Sequence, residues 1–369
     1  MEKNKNKRLS LHPQTKSDFI TYGIVILAFV VIQILGALGL LSSSFSGLLV
    51  PICAYVVMAV SLNLTVGILG ELSLGHAGFM SIGAFAGVIA AATMESAVGN
   101  PIVRLVLSML VGGIIAGIAG FVIGIPVLRL QGDYLAIVTL AFGEIIKNIL
   151  NCIYVGLDDS GLHFAMSGIG NVQSAEALHL NGGKVIVNGP VGAVGIQKLS
   201  TFTIGFILVM LTLIVVLNIK RSRTGRAIMA VRDNRIAAES VGISITKYKM
   251  TAFIISAMLA GMAGVLFAMN YTSLIAGKFN IDTSILVLVF VVLGGMGNIR
   301  GTILATIVLY VLPEALRPIQ DYRMLVYAVV MIAVMLFTNS ERAKQFREKL
   351  AAKWSEKRKK TTEKGGDAA

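Results

Sequence analysis

Residues 201–243 read TFTIGFILVMLTLIVVLNIKRSRTGRAIMAVRDNRIAAESVGI. From Thr201 to Ile219 the chain carries no charge. A helix needs about 20 apolar residues to cross the hydrocarbon core of a bilayer. Lys220, Arg221, Arg223, Arg226, Arg232 and Arg235 then follow in close succession. An uncharged run that stops at a cluster of basic residues reads as a membrane span ending on the cytoplasmic side.

The rest of the chain repeats this pattern. Of 369 residues, 56% are hydrophobic and 14% charged. A typical soluble domain carries about 25% charged residues. Further candidate crossings are 19–41, 48–67, 74–93, 102–128, 135–155, 248–270 and 323–338. The stretch 284–312 is interrupted by Gly294, Gly295, Gly297 and Gly301. Glycine is abundant, at 39 residues, and small residues let membrane helices approach closely. The expected class is all-α, a polytopic membrane helical bundle of eight to ten transmembrane helices with Gly-broken or re-entrant segments.

Charge sets the expected topology. Most of the 32 basic residues fall into three segments: Lys3 to Lys16, Lys220 to Lys249, and Arg342 to Lys364. The positive-inside rule places all three in the cytoplasm. Both ends inside require an even number of crossings. The eight clear crossings satisfy this, so the broken stretch contributes none or two, as a re-entrant hairpin or as two short helices. The expected layout is a basic N-terminus over 1–18, a transmembrane domain over 19–338, and a charged tail over 339–369. Within it, 156–200 is an extracellular loop with a short hairpin near Lys184–Val187, and 220–247 is a cytoplasmic loop. The first apolar run is longer than a secretory h-region and reads as a retained span. Cys53 and Cys152 lie in apolar segments without metal-ligand spacing. No nucleic-acid-binding module surrounds the basic runs.

The segment 224–243 is expected to be a short amphipathic helix. Ala227, Val231, Ala238 and Val241 share one face, and Arg235 and Glu239 stand four apart. Gly242 is placed to end the helix. Small residues on the apolar face suit docking into a protein cleft. The alternative, a helix lying on lipid, fits less well because that face lacks Trp, Phe and Leu.

This segment, followed by Lys249–Ala257 and Ala260–Gly264, resembles the cytoplasmic loop and next span of branched-chain amino-acid ABC-transporter permeases, the M-type subunit above all. Three further segments resemble that family's motifs: Ser61–Leu64 with Gly70–Ala77, Gly132–Leu140 with Gly143–Ile146, and Val292–Gly297 with Pro313-Glu314. The resemblance covers roughly residues 50 to 338, and departs after Asp158, where the outer loop is longer. It implies a permease subunit of an ATP-driven importer, forming half of a pathway for leucine, isoleucine or valine. Relatives for urea, short amides and other solutes leave the substrate open. The implied partners are a second permease subunit, two ATP-binding subunits, an extracytoplasmic solute-binding protein, membrane lipid and the amino acid. No cofactor and no catalytic residue are implied for this chain itself. The resemblance makes 224–243 the coupling helix, with Gly225, Arg226, Ala230, Arg232, Asp233, Ala237, Ala238, Glu239 and Gly242 as the residues engaged by an ATPase. The sequence itself holds no G-x-x-x-x-G-K-[ST] phosphate loop, so ATP would bind elsewhere.

Polar residues inside apolar runs are costly and therefore informative. Asn63, Ser73, His76, Thr139 and Glu144 are the candidates for a translocation path. Each also has a structural reading. His76 suits a hydrogen-bonded role, Glu144 suits a pair with Lys147, and Asp133 suits a cap for a helix starting near Leu135. A competing function is a self-sufficient secondary transporter relaying ions through Glu71, Glu144 and Glu314. A passive channel or scaffold is the third. The Leu74–Gly83 and Leu293–Gly301 stretches share their glycine placement, as paired broken segments of a transport path do.

Overall fold

The computed structural model describes residues 13–39, 42–130, 132–167, 175–178, 180, 182–317 and 322–339. The basic segments expected before residue 13 and after residue 339 lie outside the described residues. Met1–Ile307 form one compact unit and Val308–Ala369 a second.

The chain is predominantly helical, as its composition dictates. Helix α1 spans Pro13–Ala37, α2 Ser43–Asn63, α3 His76–Thr93, α4 Pro101–Val127 and α5 Asp133–Asn151. Strands β1 (Ile153–Asp158), β2 (Gly161–Met166), β3 (Lys184–Asn188) and β4 (Ala193–Val194) follow. Then come α6 (Phe202–Arg221), α7 (Arg223–Asp233), α8 (Arg235–Ser240), α9 (Ile245–Ala268) and strand β5 (Ser273–Leu274). The last helices are α10 (Ile281–Gly294), α11 (Ile299–Ala315) and α12 (Arg323–Asn339). Among the described residues, five helices are long and apolar enough to cross a membrane, with shorter apolar helices at Thr21–Ala37 and Ile281–Gly294. The chain is a multi-pass membrane protein.

Helices α3, α4 and α9 form the core of the bundle, and small residues bring them together. Gly112, Ala116, Gly120 and Gly124 repeat every four residues along one face of α4. A methyl on Gly120 would lie 2.7 Å from Ala257 Cβ, and one on Gly261 would lie 2.4 Å from Ala116 Cβ. A methyl on Gly83 would lie 2.3 Å from the Gly261 backbone. Apolar side chains gain little from burial in a protein over lipid, so helices associate through such close packing. The opposite face of α4 exposes Ile102, Val106, Leu110, Ile114, Ile118 and Phe121, which suits contact with acyl chains.

Three sequence expectations change. The crossing expected over 135–155 ends early, because α5 stops at Asn151 and the chain turns into β1. The outer loop holds more structure than one hairpin. β1 and β2 form a hairpin upstream of the expected one, whereas Lys184–Val187 falls in strand β3, which pairs with β1 in a five-stranded antiparallel sheet of order β2-β1-β3-β4-β5. Strand β5 comes from beyond α9, so the sheet ties the loop to the core. Asp133 does not cap α5. Gly132 is the cap residue and Asp133 lies in the first turn, where its charge favours the helix dipole. The broken stretch 284–312 forms two short helices. At 14 residues, α10 is about 21 Å long, less than the hydrocarbon thickness.

Candidate functional site

The site lies where α2 and α10 break. Helix α2 runs into a π turn, Leu64–Leu69, and Gly70 leaves it at φ +81°. The chain then runs without helix to His76. Backbone groups of this break need partners, because lipid offers none. Neighbouring helices supply them. Thr139 Oγ1 accepts from the Leu74 N–H at 3.0 Å, and Ser284 Oγ accepts from the Ala77 N–H at 3.2 Å. Glu71 N–H returns to the Thr65 carbonyl at 3.1 Å.

The second break follows α10. Gly295 and Gly297 adopt φ of +91° and +78°, which side chains with a Cβ rarely tolerate. Here α10 turns back into α11 so tightly that a methyl on Gly301 would lie 1.8 Å from the Gly294 carbonyl oxygen. The two breaks meet. A methyl on Gly67 would lie 2.2 Å from Gly297 N. Asn63 stitches them together. Its Oδ1 accepts from the Gly297 N–H and its Nδ2 donates to Thr302 Oγ1, both at 2.8 Å.

Above this joint sits a buried, uncharged polar cluster. Ser61 Oγ donates to the Met58 carbonyl at 2.8 Å and lies 2.8 Å from His76 Nε2. A hydroxyl has one proton, so His76 Nε2–H is the donor in that second bond. Ser256 Oγ donates to the Ser61 carbonyl at 2.6 Å. Asn63, Ser73, His76 and Thr139 are all buried. Ser73 Oγ and Thr65 Oγ1 are buried with no hydrogen-bond partner. Glu144 stands apart from this cluster. It is half-buried on α5 and pairs with Lys147. Thr139→Val keeps the shape but strands the Leu74 N–H. The expected cost is about 1–3 kcal/mol, seen as a lower melting temperature in detergent.

The segment 224–243 is not one helix. Asn234 ends α7 in an extended conformation, and its Oδ1 accepts from the Ala237 N–H to begin α8. Gly225 allows the tight corner from α6, since a methyl there would lie 2.0 Å from the Ile219 carbonyl oxygen. Val231 and Ala238 pack on Ile245 at the start of α9, with Ala230 and Ile243 beside them. The small apolar face is thus used within the chain. Val241 is not part of it. It is 74% exposed, and Ile236 is 82% exposed. Arg226, Arg232, Asp233, Ala237, Glu239 and Gly242 are exposed. Gly242 ends the helical region at φ +82°. Arg232 pairs with Asp233 and donates to the Gly67 carbonyl at 3.1 Å.

The chain matches the family model described as branched-chain amino acid transport system / permease component over residues 44–335. The chain belongs to this permease family. It is 35% identical over 298 residues to the high-affinity branched-chain amino acid transport system permease protein LivM of Escherichia coli, covering 77% of this chain and 66% of that protein. A probable LivM of Methanocaldococcus jannaschii is 27% identical over 251 residues, covering 64% of this chain and 66% of that one. The autoinducer 2 import system permease protein LsrC of an Enterobacter species is 28% identical over 166 residues, covering 44% and 48%. The alignment thus spans just under two thirds of the length of the first two relatives. No solved structure matches.

Four ordered motifs marked the family in the sequence, and the permease fold brings residues of all four to one place, Ser256 coming from the segment after the cytoplasmic loop. The early motif supplies Asn63, Ser73 and His76, the central one Thr139, and the late one Gly295 and Gly297. Sequence reasoning missed Ser61, Ser256, Ser284 and Thr302. For Ser61 and Ser256 the signal was present, since each is a hydroxyl inside an apolar run.

Proposed function

We propose that this chain is the permease subunit of an ATP-driven importer of branched-chain amino acids. In this reading the α7–α8 end and both termini face the cytoplasm, and the sheet faces the opposite side. A second permease subunit completes the pathway, two ATP-binding subunits sit beneath, and a solute-binding protein delivers the amino acid to the sheet side.

The observation that carries the reading is the build of α7 and α8. Their small apolar face is anchored to α9 and the first break, while Ile236 and Val241 point away, uncovered. Two large apolar side chains standing free beside Arg235 and Glu239 suit a groove in a soluble partner. A joint between transport subunit and motor has this form. The buried cluster of neutral hydroxyl, amide and imidazole groups suits passage of a zwitterion, which a fixed charge would hold.

An ion-relay transporter is disfavoured by the acids themselves. Glu71 is paired with Lys249, Glu144 with Lys147 and Glu314 with Arg317. The test is uptake of radiolabelled leucine into proteoliposomes. Uptake should require ATP, the ATP-binding subunits and the binding protein together. Gradient-driven uptake by this chain alone would overturn the proposal.

A further inference from the structure

Three cations of the α6–α9 loop end on the two breaks. Lys220, in the last turn of α6, donates to the Gly297 carbonyl at 3.0 Å. Arg232, near the end of α7, donates to the Gly67 carbonyl at 3.1 Å, and its stem lies over Gly70. Lys249, in the second turn of α9, pairs with Glu71 within the first break. The Lys249 side chain is only 6% exposed and that of Glu71 14%. Two of these grips are on backbone carbonyls, so they hold the path of the chain itself.

What they hold is a joint with unsatisfied groups. Gly67 and Gly297 touch backbone to backbone. Thr65 Oγ1 and Ser73 Oγ, on either side of Gly70, are buried without partners. A π turn is a frequent place for such a functional break.

We propose that Lys220 and Lys249, with Arg232 between them, are positioning residues that carry movement of the α7–α8 unit to the Gly67–Gly297 joint. The inference rests on the importer reading above. A loop that rocks with a motor pulls both breaks at once, because each is tied to it separately. Separating Lys249 from Glu71 would strand two largely buried charges, so the pair holds. The first break therefore moves with α9 instead of letting go.

The test uses the complete complex in proteoliposomes, with leucine uptake and ATP hydrolysis measured on the same vesicles. Lys220→Met and Lys249→Met keep the stems and remove the charges. Uptake per ATP should fall about tenfold, within the usual span of coupling free energies. Lys220→Arg and Lys249→Arg should retain uptake. If Lys249→Met fails to assemble, Glu71→Gln is read in the same way. An unchanged ratio of uptake to hydrolysis in the Met variants overturns the relay. So does a parallel loss of both activities, which a merely structural role would give. A wild-type complex that shows no ATP-dependent uptake overturns the importer reading and the relay with it.

Discussion

Gly264→Val should remove most folded protein from the membrane fraction. Gly264 sits in the last third of α9, facing α3. A single methyl there would lie 2.0 Å from the Met80 carbonyl oxygen and 3.0 Å from Ala84 N. These neighbours are backbone, so no rotamer change relieves the clash. The helices must separate, and the contacts of Gly83 with Gly261 separate with them. Overpacking a well-packed core costs about 1–3 kcal/mol even where side chains can adjust. Here the cost should reach or exceed the top of that range. Gly47→Val is the control, because Gly47 lies on α2 with nothing within 4 Å of a methyl. It should express and melt like the wild type in detergent. Equal yields of the two variants would show that the α3–α9 contact is not what holds the bundle.

Ile236→Asp with Val241→Asp should abolish ATP-dependent uptake and leave the chain in the membrane. Both side chains are exposed, so the fold loses little, within about 0.5 kcal/mol for such surface changes. The proposed ATP-binding partner loses its two apolar anchors. A central apolar contact at an interface is worth about 2 kcal/mol when it is a hot spot. Loss of one such contact weakens assembly roughly thirtyfold. Co-purification of the ATP-binding subunits reports this directly. Ile236→Leu should preserve it. Undiminished co-purification of the double variant would place the motor contact elsewhere. By contrast, Ala238→Trp is a poor probe of docking. Ala238 is packed against Val231 and Ile245, so its enlargement would disturb the chain before it reached a partner.

The motif residues were legible because each obeys a local rule. The run Thr201–Ile219 is uncharged, so it must be a span. Asn63, His76 and Thr139 are polar among apolar neighbours, so they must find partners. The pairing of Glu144 with Lys147 follows from a separation of three residues on one helix. Partners distant in sequence were not legible. Asn63 meets Thr302 across 239 positions, and Glu71 meets Lys249 across 178. No periodicity along the chain encodes such contacts. The split at Asn234 escaped notice for a related reason. Asn is tolerated within helices as well as at caps, and the corner is fixed by Val231 and Ala238 both packing on Ile245.

The sequence alone determined that this chain crosses the membrane several times, and which family it joins. Hydrophobic length and the spacing of charge act locally and survive any rearrangement of the helices. Only the tertiary structure decided that the two glycine breaks form one joint, and that the basic loop grips both. It also decided that Ile236 of α8 and Val241 just after it are left open, while Ala238 is packed within the chain. Those outcomes depend on which backbones come close enough to touch. In lipid, that choice is made by small residues and hydrogen bonds between helices far apart in the chain.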